Sequence, residues 1–175
     1  MIVTGGARGL GLATAIALLE SYSPHVFCTD ILPNPSEDEW EIAQKTAKKY
    51  GSKIEYRQLD ITNEDAVDAT FESMYTDCQV PIAAFFGAAG IQQRIPALEY
   101  PAKDFRRIME VNITGESSIS AYCRSWLTRI GTFLSAQAAA RQMHKRGIKG
   151  SICLTASMSG SIANKGERSS TWVLD

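Results

Sequence analysis

The residues best placed to do chemistry open the chain. Thr4-Gly5-Gly6-Ala7-Arg8-Gly9-Leu10-Gly11 follows a short apolar run, Ile2–Val3, and leads into a helix-prone stretch. Glycines let a backbone turn tightly and approach a ligand with no Cβ in the way. The helix that follows presents unpaired N–H groups and the positive end of its dipole, which suits a pyrophosphate. The spacing, Gly-x3-Gly-x-Gly, differs from the GxGxxG fingerprint of other dinucleotide sites. Asp30 stands 19 residues beyond Gly11, at the end of the next β-prone run. A carboxylate there is placed to reach a ribose 2′-OH. Taken singly, the turn also reads as a tight β–α connection, and Asp30 as a solvated turn acid.

Alternating strand-like and helix-like segments would position these residues. Leu10–Glu20 reads as a helix with Leu12, Ala13, Ile16, Ala17 and Leu19 on a broad apolar face. Val26–Thr29 is β-prone. Ser36 and Glu39 form a capping-box pattern, and Trp40, Ala43, Ala47 and Tyr50 mark the helix that follows, stopped by Gly51. Ile54–Leu59 is a third strand. Thr62 with Asp65 suggests another helix start, with Val67, Phe71 and Met74 as its buried stripe. Ile82–Phe86 is a continuous apolar run, the pattern of a strand buried on both faces. Asp104–Gly115 is helical, with Phe105, Ile108 and Ile113 facing inward. Phe133–Met143 is a further helix and Ser151–Thr155 a fifth strand. Such alternation predicts an α/β, Rossmann-like, doubly wound parallel sheet of about five strands with right-handed crossovers.

Composition bounds the partners. The chain has 175 residues, 45% of them hydrophobic and 21% charged, which excludes bulk disorder and predicts one domain. A net charge of −1 leaves no electrostatic footprint for nucleic acid or an anionic membrane. No run approaches the ~20 apolar residues of a membrane span. Cys28, Cys78, Cys123 and Cys153 are far apart, and two of them, Cys28 and Cys153, fall in expected strands as buried thiols. A reducing, cytoplasmic setting is the expectation.

Five landmarks in register resemble the short-chain dehydrogenase/reductase family. They are the Thr4–Gly11 turn, Asp60-Ile61 after the third strand, Ala89-Gly90 after the fourth, Val111-Asn112-Ile113-Thr114-Gly115, and Gly150–Ser157 with the fifth strand. The resemblance spans residues 1 to about 166. It implies hydride transfer between NAD(P) and an alcohol or carbonyl, such as a polyol, sugar or small ketone. It implies cofactor contacts from Thr4, Gly5, Arg8, Gly9, Leu10, Gly11, Asp30, Asp60, Ile61, Ala89 and Gly90. Asp60-Ile61 would border the adenine. Ser157 would hydrogen-bond the reacting oxygen, and Asn112 would hold a water in the proton relay. Asp30 favours NAD over NADP, because a carboxylate repels a 2′-phosphate; Arg8 pulls the other way. No metal site and no macromolecular partner beyond a homo-oligomer are implied.

The chain also departs from that pattern. The family's Tyr-x-x-x-Lys pair would lie about a dozen residues after Ser157, yet no tyrosine follows Tyr122. Thirteen residues past Ser157 stands Ser170, and four further on Leu174, and neither side chain can replace a phenol or an amine. The expectation is a sheet incomplete at its C-terminal end and a form without turnover. Gly87 and Ala88 replace asparagines that would help anchor the strands. Residues 116–130 read as an insertion in the helix that builds the family's subunit interface, so a homo-oligomer becomes doubtful. Were the insert helical, 15 residues at ~100° each would rotate the later face by ~60°. Residues 167–175 read as a tail foreign to the family. Both departures begin alike, Gly115-Glu116-Ser117 and Gly166-Glu167-Arg168. Codons GGTGAGT and GGTGAGC would encode those strings and resemble intron donor sites, so two translated introns are a hypothesis that a cDNA tests.

Overall fold

A computed structural model describes residues 1–93, 95–112 and 131–157. Its order is β1 (Ile2–Thr4), α1 (Gly9–Glu20), β2 (His25–Asp30), α2 (Glu37–Lys49), β3 (Lys53–Gln58), α3 (Glu64–Asp77), β4 (Ala84–Gly87), a 3-10 turn (Ala97–Glu99), α4 (Ala102–Asn112), α5 (Gly131–Lys145) and β5 (Ser151–Leu154). The five strands form one parallel sheet in the order β3-β2-β1-β4-β5. The chain first winds outward through β2 and β3, then returns past β1 to build β4 and β5. The expected Rossmann-like architecture is therefore present.

Period-two alternation sorts side chains to the two faces of the sheet. Val3, Val26 and Cys28 point to one side and pack with Leu12, Ala15 and Leu19 of α1 and Ala43 and Ala47 of α2. Ile2, Phe27 and Phe85 point to the other and pack with Phe71 and Met74 of α3 and Leu134, Ala138 and Met143 of α5. Each face of the sheet thus carries its own apolar layer, which is what forces helices onto both sides.

Several local readings need correction. On α1 the buried residues are Gly11, Leu12, Ala15 and Leu19, while Ala13 and Ala17 are exposed. The narrower stripe follows the 100° helical step from Leu12 through Ala15 to Leu19. Ser36 precedes α2, but its side chain makes no cap. The helix is instead favoured by Glu37, Asp38 and Glu39 at its positive end and Lys48 and Lys49 at its negative end. The cap of α3 is Asn63, whose Oδ1 accepts the Ala66 N–H at 3.1 Å; Thr62 hydrogen-bonds Asp60 instead. Gly51, at φ +65°, stops α2 as expected.

The later strands are less covered than the apolar run suggests. Strand β4 starts at Ala84, and only Phe85 and Gly87 within it are buried; Ala84 and Phe86 are half-buried. On their side α1 and α2 pack over β1, β2 and β3. Strand β5 has Ser151, Ile152 and Cys153 exposed, with Ile152 at 41%. Cys28 is a buried thiol, but Cys153 is not, because β5 is the edge of the described sheet. Helix α4 ends at Asn112, so the expected extension through Ile113 to Gly115 lies outside the described residues, as do residues 116–130 and 167–175. Phe105 is half-buried and Ile108 buried.

Candidate functional site

The site lies where the strand order reverses, at the carboxyl ends of β1, β2 and β4. In open parallel sheets that crevice is where ligands bind. Thr4 ends β1, and the glycine turn crosses from it to α1. The turn is held on three sides by backbone. The Gly6 N–H donates to Thr29 O at 3.0 Å, the Ala88 N–H to Thr4 O at 3.2 Å, and the Ser36 N–H to Ala7 O at 2.8 Å.

Two glycines do the work that other residues could not. A Cβ on Gly11 would sit 2.1 Å from Gly5 O, so only glycine lets α1 start against its own turn. Gly9 has φ +60°, and a Cβ there would meet nothing within 4 Å. The space over Gly9 is open to a ligand. Arg8, at the N-cap, is extended and exposed and makes no side-chain cap, and the first turn of α1 holds no acid. The helix therefore presents its N–H groups and positive dipole end to that space with no acidic side chain in its own first turn. Leu10, 75% exposed, lies beside it.

Asp30 ends β2 half-buried. Its Oδ2 accepts the Ala7 N–H and its Oδ1 the Leu32 N–H, each at 3.3 Å. An ionised carboxylate has about four acceptor positions, and these two bonds use half of them. Asp30 thus ties the glycine turn to β2 while keeping capacity for a diol. Tyr56 of β3 supports the same loop by donating its hydroxyl to Leu32 O. Burial, with the Asp30 charge adding to it, pushes that phenol up to about 12. Neither Tyr56 nor Ser36 was foreseen in this role; the alternation along Lys53–Gln58 points Tyr56 towards the α2 side, where it meets Trp40 edge-on at 5.8 Å.

Asp60 is exposed and folds back on Thr62, with Oδ1 accepting the Thr62 N–H at 2.9 Å and its hydroxyl at 2.7 Å. Ile61 is 6% exposed and packs in the core on the α3–α5 side. Most of its side chain is spent on packing rather than on the crevice. Across the crevice, the Ala89 N–H approaches Thr4 Oγ1 at 3.5 Å, and Gly90 lies exposed beyond it.

Asn112, the last residue of α4, clamps this loop. Its Oδ1 accepts the Ile91 N–H at 2.8 Å and its Nδ2 donates to Ile91 O at 2.6 Å. One N–H and one lone pair remain for a water. The Thr155 N–H donates to Gly87 O at 2.9 Å, which carries the chain past β4 to Ser157, exposed at the same edge of the sheet. Asp30, Ala89-Gly90 and Ser157 fall at the carboxyl ends of their strands or the loops that leave them, and Asn112, at the end of α4, reaches the loop after β4 through Ile91.

Parallel sheet, switch point and glycine turn define an α/β protein of the doubly wound, Rossmann-like class. The profile described as short chain dehydrogenase matches residues 1–169, and the chain belongs to that family. It is similar to the short chain dehydrogenase/reductase notP′ of Aspergillus versicolor, 37% identical over 166 residues, which cover 95% of this chain and 51% of that protein. It is similar to the ribulose-forming D-arabinitol 2-dehydrogenase of Candida albicans, 28% identical over 94% of this chain and 55% of the relative. Its fold matches NAD+-bound xylitol dehydrogenase with a TM-score of 0.74 at 27% identity, covering 99% of this chain and 58% of that one. The chain spans about half the length of the curated relatives it matches.

No helix among the described residues is long and apolar enough to cross a membrane. No group of three or more His, Cys, Asp or Glu among them is arranged to hold a metal ion.

Proposed function

We propose that the chain is the cofactor-binding half of an NAD(P)-dependent oxidoreductase acting on a small alcohol or carbonyl, with NAD favoured over NADP. The observation that carries this reading is the open, acid-free N-terminus of α1 facing the Asp30 carboxylate across the turn. Polyol dehydrogenation by the arabinitol and xylitol enzymes it resembles supports a polyol, sugar or small ketone as substrate.

The residues fit such a cofactor. The α1 N-terminus, with Thr4, Gly5, Gly9, Leu10 and Gly11 around it, would hold the pyrophosphate and Arg8 would flank it. Asp30 would accept the ribose hydroxyls, while Asp60 and Ile61 would border the adenine. Ala89 and Gly90 leave room for the second ribose. When bound, the nicotinamide supplies the hydride donor or acceptor. Ser157 would donate its hydroxyl to the reacting oxygen, and Asn112 would hold both the loop and a water. Proton transfer to that oxygen needs a tuned acid. No Tyr-x-x-x-Lys stands beyond Ser157 in these 175 residues. We therefore infer that residues 1–175 by themselves bind dinucleotide without turnover.

Residues 116–130 are read as an insertion. The Thr132 hydroxyl donates to Val111 O at 3.1 Å, so the end of α4 and the start of α5 lie side by side although 21 positions separate these two residues. That adjacency is what an interrupted helix would leave. A cDNA lacking codons 116–130 and encoding Tyr-x-x-x-Lys downstream would support translated introns; one that reads through both junctions would sink them.

The test of binding is thermal unfolding with NADH and with NADPH. NADH should raise Tm more than NADPH does, and no small ketose should drive NADH oxidation. No shift with either nucleotide would overturn the binding reading. Turnover lost on Ser157→Ala would overturn the claim of inactivity.

A further inference from the structure

At the opposite end of the sheet, the amino-terminal edge, three chemically active side chains converge from separate elements. Cys78 follows the last turn of α3, His25 begins β2 and Glu55 lies on β3. Cys78 Sγ is 3.4 Å from His25 Nδ1, and His25 Nε2 is 2.9 Å from Glu55 Oε1. The carboxylate approaches Nε2 obliquely, as an ion-pair contact rather than a straight hydrogen bond. It still favours the tautomer with the proton on Nε2, which leaves the Nδ1 lone pair facing the thiol.

The surroundings hold this geometry. The His25 ring stacks on Phe27 at 4.1 Å between centroids. Desolvation lowers the His25 pKa despite the Glu55 charge, so the ring is neutral and able to take a proton. Desolvation alone would raise Glu55, but the Lys53 hydrogen bond and the charges of Lys53 and Arg57 outweigh it and keep the carboxyl ionised. Lys53 and the Met1 α-amine are the cations whose charges act on the ring, and Glu55 is the anion. Cys78 is half-buried, so a small reagent can reach it.

A second feature points to a ligand here. A cavity of about 330 Å³ is lined by Leu18, Ser21, Ser23, His25, Val80 and Pro81 among others; His25 is the member of the cluster that lines it, and Cys78 adjoins it through the His25 ring. Ser23 is only 8% exposed, and its hydroxyl has no hydrogen-bond partner among the described residues. An orphaned buried hydroxyl in the wall of a cavity is a standing offer to a polar group.

We propose that Cys78, with His25 as its base and Glu55 positioning that base, is a nucleophilic thiol that undergoes thiol–disulfide exchange with a small disulfide seated against this cavity. The Cys78 thiol gives its proton to His25 Nδ1. The thiolate attacks one sulfur of the disulfide, and the new S–S bond forms as the old one breaks. The departing thiolate takes the proton back from the imidazolium. One disulfide is exchanged for another and one thiol for another, so no further oxidant is needed. The site is far from the cofactor crevice in the fold, joined to it through β2.

The probe is 4,4′-dithiodipyridine, with the modified cysteines located by peptide mass mapping over time. Cys78 should react at least ~10-fold faster than Cys153, which is more exposed but has no histidine partner, and faster than Cys78 in the urea-unfolded chain. His25→Ala should remove that advantage, and added imidazole should restore part of it, which a purely structural role would not allow. Glu55→Gln should slow Cys78 less than His25→Ala does, and Glu55→Asp should recover most of the rate. Equal rates at Cys78 and Cys153 in the folded wild type would overturn the proposal, even if the histidine variant does not fold. So would an unchanged rate in a folded His25→Ala protein.

Discussion

The two halves of the sheet are built to different standards. On one side of the switch point, β2 and β3 pair along six residues each, and α1 and α2 close over them. The glycine turn is tied to this half by Gly6–Thr29, Ala7–Asp30 and Ser36–Ala7. On the other side, β4 and β5 pair along four residues each, and β5 presents exposed Ser151, Ile152 and Cys153. On the proposed reading, the difference separates two tasks. Holding a dinucleotide needs a fixed turn, and the first half supplies it within some 60 residues of sequence. Reacting a substrate needs groups gathered from α4, the β4 loop and the segment after β5, and these rest on the less covered half.

The largest effect expected is at Gly11. A Cβ there would lie 2.1 Å from Gly5 O, a backbone atom with no freedom to retreat. Gly11→Val should abolish NADH binding and sharply lower the soluble folded fraction, read by thermal shift and circular dichroism. Unimpaired binding would mean that the turn is not the cofactor's seat.

Core truncations test the asymmetry directly. Phe27 is fully buried at the centre of the better half, whereas Ile152 is 41% exposed. Phe27→Ala should cost about 3–5 kcal/mol in urea unfolding, and Ile152→Ala less than about 1 kcal/mol. Similar costs would mean that β5 is covered in solution, by a second copy of the chain or by another segment.

Asp30 tests the tie between fold and site. Asp30→Ala removes an acceptor from the Ala7 and Leu32 N–H groups and from the proposed ribose contact. Hydrogen bonds to a charged group contribute roughly 1.5–3 kcal/mol, so NADH affinity should fall by about 10-fold or more. An equal loss for NADH and NADPH would place Asp30 in turn support alone. Asp30→Ala tightening NADPH would support its role in excluding a 2′-phosphate.

Deleting residues 116–130 probes the weaker half from its connection. Because Val111 and Thr132 already touch, the deletion shortens the connection between α4 and α5 without moving the residues it joins. Loop-closure entropy grows by about 0.6 kcal/mol per doubling of length, so the deletion should stabilise the chain by about 1–2 kcal/mol. A lower urea midpoint would show that the segment packs into the fold.

The parts of the molecule legible in the sequence are those governed by local rules. Gly5 through Gly11 and Asp30 announce themselves by type and spacing, and every strand was foreseen within two residues at each end, β4 with a two-residue error because its apolar run starts early. Ile82 is buried just before β4, so hydrophobicity marks burial there rather than pairing. What sequence reading missed depends on the third dimension. Ser36 looks like a cap but serves through its backbone N–H on Ala7 O, 29 positions away. Tyr56 looks like a strand residue but anchors the Leu32 carbonyl. Cys153 was expected to be buried because its run is apolar, and edge position overrides that pattern. The encounter of Cys78 with His25 spans 53 positions and two elements, and no spacing rule reports it.

The smallest expected effect concerns the first half's lower edge. Burial lowers the His25 pKa in the folded chain, while the unfolded chain keeps a value near 6.5. Below that value the unfolded state binds more protons than the folded state, so stability falls as pH falls. The contribution is therefore complete above about pH 6.5 and is lost progressively on acidification towards the lowered folded value. Glu55 is also held below its ordinary value, so its loss follows in a more acidic window. The Met1 amine, likewise lowered by burial, titrates from a higher starting point. Comparing wild type with His25→Gln isolates the histidine from both. The wild-type urea midpoint should decline between pH 7 and 5 more steeply than that of the variant. A parallel decline would mean that the ring is as hydrated in the folded chain as in the unfolded one, and the lower edge of β2 would then be as open as β5.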